Sequence, residues 1–128
     1  MAKQGNKEYI KINFPSRRRD VEALLRMVTF EDGDFQIAYI PSLNLSGYGN
    51  NEEDAVKMLC EVVVKDYLTS LSEMPESKVM TELREYGWKR LPFLSKQLQN
   101  TKFFGTDAIK ETFNLPAETQ FHERFVTA

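Results

Sequence analysis

Apolar and polar residues alternate over the first regular stretch of the chain, YIKINF, in which Ile10, Ile12 and Phe14 share one face. A period of two residues is typical of a strand that is buried on one side. The pattern therefore predicts a first strand over residues 9–14. Pro15 ends it, because proline has no backbone N–H for a ladder.

The next stretch, VEALLRMVTFED, fits a helix or a strand by periodicity alone. Asp32-Gly33 follows between two runs rich in β-forming residues, and this pair is favoured where a two-residue hairpin requires a positive φ. We therefore predict that residues 24–31 are extended and pair with residues 34–40.

A proline turn and a third strand follow the hairpin. Pro41-Ser42 predicts the turn, and LNLSGYG, residues 43–49, predicts the strand. Gly47 and Gly49 indicate a bulge or a strand end, because glycine weakens a strand interior.

An acidic helix start comes next. Asn50 or Asn51 is predicted to cap a helix over residues 51–71, since an asparagine side chain accepts hydrogen bonds from the first backbone N–H groups. Acidic side chains favour the positive end of a helix, and three follow the cap: Glu52, Glu53 and Asp54. Five residues at helical spacing predict the buried stripe: Val56, Leu59, Cys60, Val63 and Tyr67.

The rest of the chain predicts a second, shorter helix that Pro75 opens and Gly87 ends, and then an extended piece, WKRLPF. Pro92 makes that piece an edge strand or a strand end. Residues 94–118 fit short helices or irregular turns, and QFHERFVTA fits a closing strand.

These elements predict an α+β fold, a small antiparallel sheet in the order β-β-β-α-β. One main helix packs on one face, and the second helix is short. We expect a single domain over residues 1–128, with a core at about 8–93 and an extension at 94–128.

Composition is ordinary for a globular domain of 128 residues, with 41% hydrophobic and 28% charged residues. The net charge of −2 argues against a protein that binds nucleic acid through overall charge, although a local basic patch stays open. A single cysteine excludes an intramolecular disulfide and fits a reducing cytoplasm. We expect no signal peptide and no membrane span.

Candidate chemistry is sparse, and no catalytic, cofactor or metal site is predicted. His122 has no nucleophile or metal-ligand cluster in sequence, and Cys60 fits a small core residue. The acids of the helix start are explained by the helix dipole. Glu31, Asp32 and Asp34 cluster at a hairpin tip, which indicates a solvated turn.

Arg17, Arg18 and Arg19 form the most suggestive charge run. They follow the first strand and suit contact with phosphate or an acidic partner. A solvated loop balanced by Asp20 and Glu22 is the competing interpretation.

From about Met27 to Leu71, the hairpin, turn, glycine-led helix entry and amphipathic helix resemble the N-terminal domain of HicB-like antitoxins. That family's signature is a "dGgyva" hairpin, a "vPdlpg" turn and a "GdTxeEA" helix entry. The resemblance covers roughly a third of the chain and is more specific for fold than for activity. The matching pieces are Asp32-Gly33-Asp34-Phe35-Gln36-Ile37-Ala38, Ile40-Pro41-Ser42-Leu43 and Gly49-Asn50-Asn51-Glu52-Glu53-Asp54-Ala55.

The resemblance implies a partial ferredoxin-like or RNase-H-like unit that associates as dimers or tetramers and binds a small mRNA-cleaving toxin. Better-known members also carry a C-terminal domain for operator DNA, whereas no clear helix-turn-helix pair follows Leu71 here. The segment ELREYGWKRLPF is similar to the opening of the partner toxin. The toxin's Gly-Ser-His-His turn is missing, so toxin activity is not carried over.

Two hypotheses follow. The first is a non-catalytic protein-binding module, an antitoxin-like subunit that binds itself as a homodimer or larger and binds a small basic toxin. The second is a DNA-binding regulator that uses Arg17 to Arg19 with Lys89 and Arg90. The strand from Tyr9 to Phe14 has no obvious hairpin partner, so it either pairs within the chain or pairs with a second copy, and the second is the expected route to self-association.

Overall fold

The computed structural model describes residues 7–13, 21–91 and 94–128. Within these ranges the chain has the predicted α+β fold with antiparallel strands. The strands are β1 (Tyr9–Ile12), β2 (Val21–Asp32), β3 (Phe35–Ile40), β4 (Leu45–Gly49), β5 (Trp88–Leu91), β6 (Leu94–Asn100) and β7 (His122–Thr127). The helices are α1 (Glu52–Met58), a π-helical stretch (Leu59–Val64), α2 (Lys65–Glu73), α3 (Glu76–Glu85) and α4 (Thr106–Phe113).

The described sheet is larger than the predicted β-β-β-α-β unit. Residues 94–100 form β6, so the expectation of a short helix or irregular turns is wrong there. These residues are extended because β6 forms hydrogen bonds with β1 on one side and with β5 on the other. The stretch DAIKETFNL, in contrast, forms α4, and the C-terminal strand is present as β7.

The long strand β2 organises the sheet. Leu24 pairs with Tyr9 of β1 and with Thr127 of β7, and Val28 pairs with Tyr39 of β3 and with Glu123 of β7. A strand has only two edges, so β7 pairs with one edge of β2. β1 and β3 both pair with the other edge, β1 with its first residues and β3 with its last. The strands β6 and β5 continue the sheet beyond β1, and β4 continues it beyond β3.

Both faces of β2 are covered, which explains why its sequence has no clear alternation. Alternate residues such as Leu25 and Met27 pack in the main core beneath α1, α2 and α3. Val28 and Phe30 face the opposite way and form a smaller core with Ile109 of α4. Every residue from 25 to 30 is therefore buried.

The main helical segment departs from regular α-helix in the middle. Its fully buried positions include Ala55, Leu59, Val64 and Leu71. Leu59 and Val64 are five residues apart, and a regular α-helix turns residues at that spacing away from a common face. The π-helical stretch from Leu59 to Val64 accommodates the extra residue and keeps both side chains on the core.

The first strand is not a sheet edge. β1 pairs with β2 on one side and with β6 on the other, and the side chains of Ile10 and Ile12 are completely buried. The expected route to self-association, an unpaired strand from Tyr9 to Phe14, is therefore wrong, and Phe14 lies outside the described residues. β5 is at an end of the sheet, as Pro92 predicts.

Within the described ranges, no helix has the length and apolar character needed to cross a membrane.

Candidate functional site

The hairpin between β2 and β3 is formed as predicted, but its loop is shifted by one residue. Asp32 pairs with Phe35, so the two loop residues are Gly33 and Asp34. Gly33 has a φ of +64°, and Asp34 is not among the described non-glycine residues with positive φ. This sign pattern is that of a type II′ turn, which takes glycine at the first loop position. Asp32 thus closes the β2 ladder.

The turn between β3 and β4 covers residues 41–44 and ends in Asn44, whose φ is +53°. Asn44 tolerates this left-handed conformation better than most residues. Its side-chain oxygen also accepts a hydrogen bond of 2.9 Å from the Tyr39 hydroxyl. Pro41 and Ser42 are buried, and Trp88 donates from Nε1 to the Ser42 carbonyl over 2.9 Å. The proline turn is thus fixed to the core at both ends.

Helix α1 packs directly on the backbone of β4. A Cβ atom at Gly47 would lie 2.7 Å from the Leu59 nitrogen, and one at Gly49 would lie 2.6 Å from Asp54 Cβ. Gly47 therefore marks a close approach of helix to strand rather than a bulge or strand end. The cap is Asn51, whose side-chain oxygen accepts from the Asp54 N–H over 2.8 Å.

Two exposed aromatic residues lie on the other side of these strands. Phe35 and Tyr48 form an edge-to-face pair with ring centroids 5.5 Å apart, and they are 46% and 55% exposed. Tyr48 pairs across the strands with Ile37, which packs against the smaller core. We call Phe35 and Tyr48 the aromatic corner. They extend an apolar surface from the smaller core to the sheet edge.

The backbone edge beside the aromatic corner belongs to β4. This strand is at an end of the sheet, and its sequence, LSGYG, contains no charged residue. Exposed edges in natural proteins usually carry charges or prolines that discourage pairing with another chain. The β4 edge lacks both.

Acidic residues flank the aromatic corner at two places. Asp34 is exposed at the hairpin tip next to Phe35, and Glu31 is exposed near the same tip on the opposite face of the sheet. At the start of α1, on the other side of β4 from the aromatic rings, Glu53 and Asp54 are exposed, and Asp54 lies against Gly49, the residue after Tyr48. The sequence explains each acid locally, as a turn or helix-cap residue, and only the fold brings the two groups to the same edge of the sheet.

His122 lies on the face of β7 that points towards α1, and its side chain is 74% exposed. Its Nδ1 is 3.2 Å from Glu52 Oε1, and Arg124 approaches the other oxygen of Glu52 at 3.7 Å. The sequence neighbour Glu123 faces the other way and contacts Arg26. Cys60 is half-buried against the main core, and burial raises the pKa of its thiol.

Only some of the basic residues predicted to contact nucleic acid or a partner lie within the described part of the chain. Arg17, Arg18 and Arg19 lie outside the described residues. Lys89 is exposed on β5, whereas Arg90 forms a 2.8 Å ion pair with Glu76.

A polar cluster that the sequence did not indicate surrounds β2. Glu8 is buried, and its carboxylate accepts from the Arg26 backbone N–H at 2.9 Å and from the Ser42 hydroxyl at 2.5 Å. The Arg26 guanidinium donates to Glu123 and to the Phe104 carbonyl, the latter over 2.9 Å. No spacing rule links these positions, because residues 8, 26, 42 and 123 meet only through the sheet.

Among the described residues, no group of three or more His, Cys, Asp or Glu side chains is arranged to hold a metal ion. Comparison with protein-family models, with curated proteins and with solved structures found no match for this chain.

Proposed function

We propose that the chain is a non-catalytic protein-binding module of the HicB-like antitoxin kind, which acts in the cytoplasm and binds a small basic partner protein. The aromatic corner is the observation that carries the proposal. Phe35 and Tyr48 are large, rigid and half exposed, and such aromatic residues are enriched at the centres of protein interfaces.

The order of elements supports the antitoxin-like part of this proposal. β2, β3, β4 and α1 follow one another as the resemblance implies, with Gly33 at the hairpin and Asn51 at the helix start. These are features of fold, and folds are shared by proteins of different function. The kind of partner therefore rests on the surface.

The charge around the aromatic corner fits a basic partner. Exposed Asp34 and Glu31 lie at the hairpin tip, and Glu53 and Asp54 lie at the start of α1, on the helix side of the same sheet edge. An acidic rim attracts a basic protein over a distance and sets its orientation, while the aromatic centre loses contact with water on binding. A small basic toxin has a charge complementary to these acidic residues.

The test uses the small basic protein that the proposal expects to be encoded beside this chain's gene. Isothermal titration of the purified pair should show a stoichiometric complex with wild-type chain and a loss of affinity of at least tenfold in Tyr48→Ser and Phe35→Ser. Asp34→Asn with Glu53→Gln should lower the association rate at low salt. Phe103→Ser, which changes an exposed aromatic residue elsewhere, is the matched control and should bind as wild type.

Two results would refute the proposal. One is a gene neighbourhood without such a protein, or one whose product does not bind. The other is a complex that both corner variants leave unchanged. The non-catalytic part has its own test: His122→Ala and Cys60→Ser should keep the biological activity of the chain, and a folded His122→Ala variant without activity would contradict it.

Self-association remains part of the proposal, by a route other than β1. The uncharged β4 edge is suited to pairing with β4 of a second copy across a two-fold axis. Light scattering at micromolar concentrations should give a dimer or larger, and Ser46→Lys, on exposed β4, should reduce the mass to one chain. A single-chain mass for the wild type would exclude this part.

The alternative function is a DNA-binding regulator that uses Arg17, Arg18 and Arg19. Its described support is limited to exposed Lys89, because Arg90 is paired with Glu76. Salt-dependent binding of operator duplex, lost when the three arginines are replaced by glutamine, would favour it over the protein-binding module.

A further inference from the structure

One half of the sheet has a face that none of the described helices is seen to cover. In β1, Ile10 and Ile12 point into the main core, so Tyr9 and Lys11 point the other way. Ladder partners share a face, which places Gln99, Lys89 and Leu24 beside Tyr9. Helix α4 packs on the same face further along β2, at Val28 and Phe30, and not at these residues.

This face combines aromatic rings with ammonium groups. The Lys11 Nζ lies 5.2 Å from the centre of the Tyr9 ring, and the Lys7 Nζ lies 5.9 Å from the centre of the Phe125 ring. Lys7, Lys11 and Phe125 are exposed, and Tyr9 is half-buried. Each ring therefore has a cation within reach on the same surface. We call this surface the open sheet face, formed by Lys7, Tyr9, Lys11, Lys89 and Phe125.

The charge of the open sheet face is positive, in contrast to the whole chain. Among the described residues, its three lysines share the face with one unpaired exposed acid, Glu22, the ladder partner of Lys11. A second acid on this side, Glu123, forms an ion pair with Arg26, which neutralises its charge. The overall net charge of −2 thus conceals a local basic surface, with acids concentrated at the aromatic corner and the start of α1.

A third aromatic residue adjoins this surface. Phe103 is 68% exposed, and the Arg26 guanidinium lies 4.6 Å from the centre of its ring. The guanidinium is held by Glu123 and the Phe104 carbonyl, so it stacks on Phe103 from a fixed position. One ring face is occupied by Arg26, and the large exposed fraction leaves the other accessible.

We infer that the open sheet face binds single-stranded nucleic acid. Bases of a single strand stack on aromatic side chains irrespective of sequence, and lysines beside the rings contact the phosphates. Strand spacing and rise place Tyr9 and Phe125 about 12 Å apart, so each ring would stack a separate base. The lysine stems are flexible, which lets the ammonium groups move from the rings to phosphates as bases stack.

Other ligands fit this face less well. A duplex hides the faces of its bases, so the aromatic rings would contribute nothing to its binding. An acidic peptide would use the lysines but has no flat groups for the rings. The surface is distinct from the aromatic corner, and the inference stands whether or not a basic partner protein binds there.

Fluorescence anisotropy with labelled oligouridine and oligothymidine of about a dozen nucleotides tests the inference. We expect binding at low salt that weakens as salt rises. In Lys7→Gln with Lys11→Gln, the slope of log K against log salt should fall by about 1.4, since each phosphate contact on a single strand contributes about 0.7. Phe125→Ser should lower affinity about tenfold or more.

Matched controls lie away from the open sheet face. Lys57→Gln with Lys65→Gln removes two exposed lysines from the helices, and Tyr48→Ser removes an exposed aromatic ring. Both should bind the oligonucleotides as wild type does. Tighter binding of oligouridine than of oligodeoxyuridine, which differs from it only in the 2′-hydroxyl, would identify RNA as the ligand, and the reverse would identify DNA.

Three results would overturn the inference. The first is no binding at low salt. The second is equal loss of affinity in the helix-lysine control. The third is equally tight binding of a duplex or of oligoglutamate, which would assign the lysines to another class of partner.

Discussion

The carboxylate of Glu8 accepts a hydrogen bond of 2.9 Å from the backbone N–H of Arg26. Arg26 lies where β2 has neither β1 nor β3 beside it, because β1 pairs with residues 21–24 and β3 with residues 28–32. A backbone N–H that is buried there needs a side-chain acceptor. Glu8 supplies it and joins β1 to the turn after β3 through the Ser42 hydroxyl.

Replacing Glu8 by alanine should therefore destabilise the fold by about 2–3 kcal/mol, because two buried donors lose a charged acceptor. Ser42→Ala removes one of those donors and should cost about 1 kcal/mol in free energy of unfolding. In the Glu8→Ala background, Ser42→Ala should cost less, since its partner is already gone. Urea unfolding of the four proteins measures these values, and strictly additive effects would show that the two side chains act independently.

The glycines of the hairpin and of β4 should resist a side chain for different reasons. At Gly47 a Cβ would meet helix backbone at 2.7 Å, so Gly47→Ala should destabilise by about 1–3 kcal/mol through overpacking. A Cβ atom at Gly33 would have no heavy atom within 4 Å apart from the glycine and its two chain neighbours, so only the positive φ opposes a side chain. Gly33→Val should cost about 1–3 kcal/mol from backbone strain.

Hydrogen exchange separates these two effects. Gly47→Ala should speed exchange of amides in α1, because the helix must move away from β4. Gly33→Val should speed exchange at the hairpin and leave α1 protected. A Gly47→Ala variant with wild-type stability and protection would contradict the close approach of strand and helix.

Adjacent asparagines give a matched test of the helix cap. Asn51→Ala removes the acceptor of the Asp54 N–H and should cost about 1 kcal/mol in free energy of unfolding. Asn50 is exposed and is not the cap, so Asn50→Ala should stay within about 0.5 kcal/mol of wild type. Equal effects in thermal or urea unfolding would mean that the sequence alternative, a cap at Asn50, holds in solution.

Local features were predictable from the sequence because their causes lie close along the chain. The hairpin depends on Gly33 and its neighbours, and the start of α1 depends on Asn51 and the acids after it. β6 was not predictable in this way, because its strand state comes from pairing with β1, some 90 residues earlier. The same holds for Glu8, whose role depends on strands that meet only in the folded sheet.

The aromatic corner shows where prediction of the site stops. Alternation along β3 and β4 indicates which residues share a face, but it does not show that α4 covers Tyr39 and Ile37 and leaves Phe35 exposed. Exposure is decided by what packs above the strand, and α4 comes from a stretch whose structure the sequence left open. The residues that now carry the proposed interface were therefore not singled out as contacts.

Stability should fall at high pH through Tyr67. Its hydroxyl donates to Glu82 over 2.9 Å. Burial, and then this hydrogen bond, raise the pKa of Tyr67 well above its ordinary value of 10.0. The unfolded chain loses this proton near pH 10, while the folded chain keeps it. Stability from this group is therefore complete below about pH 10 and decreases as pH rises towards the higher pKa of the folded state.

Tyr67→Phe isolates this contribution. Near pH 7 the variant should be less stable by about 1 kcal/mol, since Glu82 loses a hydrogen bond. Between pH 10 and 11 the two curves of unfolding free energy against pH should converge, because only the wild type loses stability by ionising Tyr67 in the unfolded chain. Tyr39, whose pKa is also raised by burial, is present in both proteins and cancels in the comparison.

Tyr48→Phe is the matched control, because it changes an exposed hydroxyl and should follow the wild-type curve throughout. Urea unfolding at steps from pH 7 to 11 gives the three curves, and a constant gap between wild type and Tyr67→Phe across that range would show that Tyr67 ionises equally readily in both states.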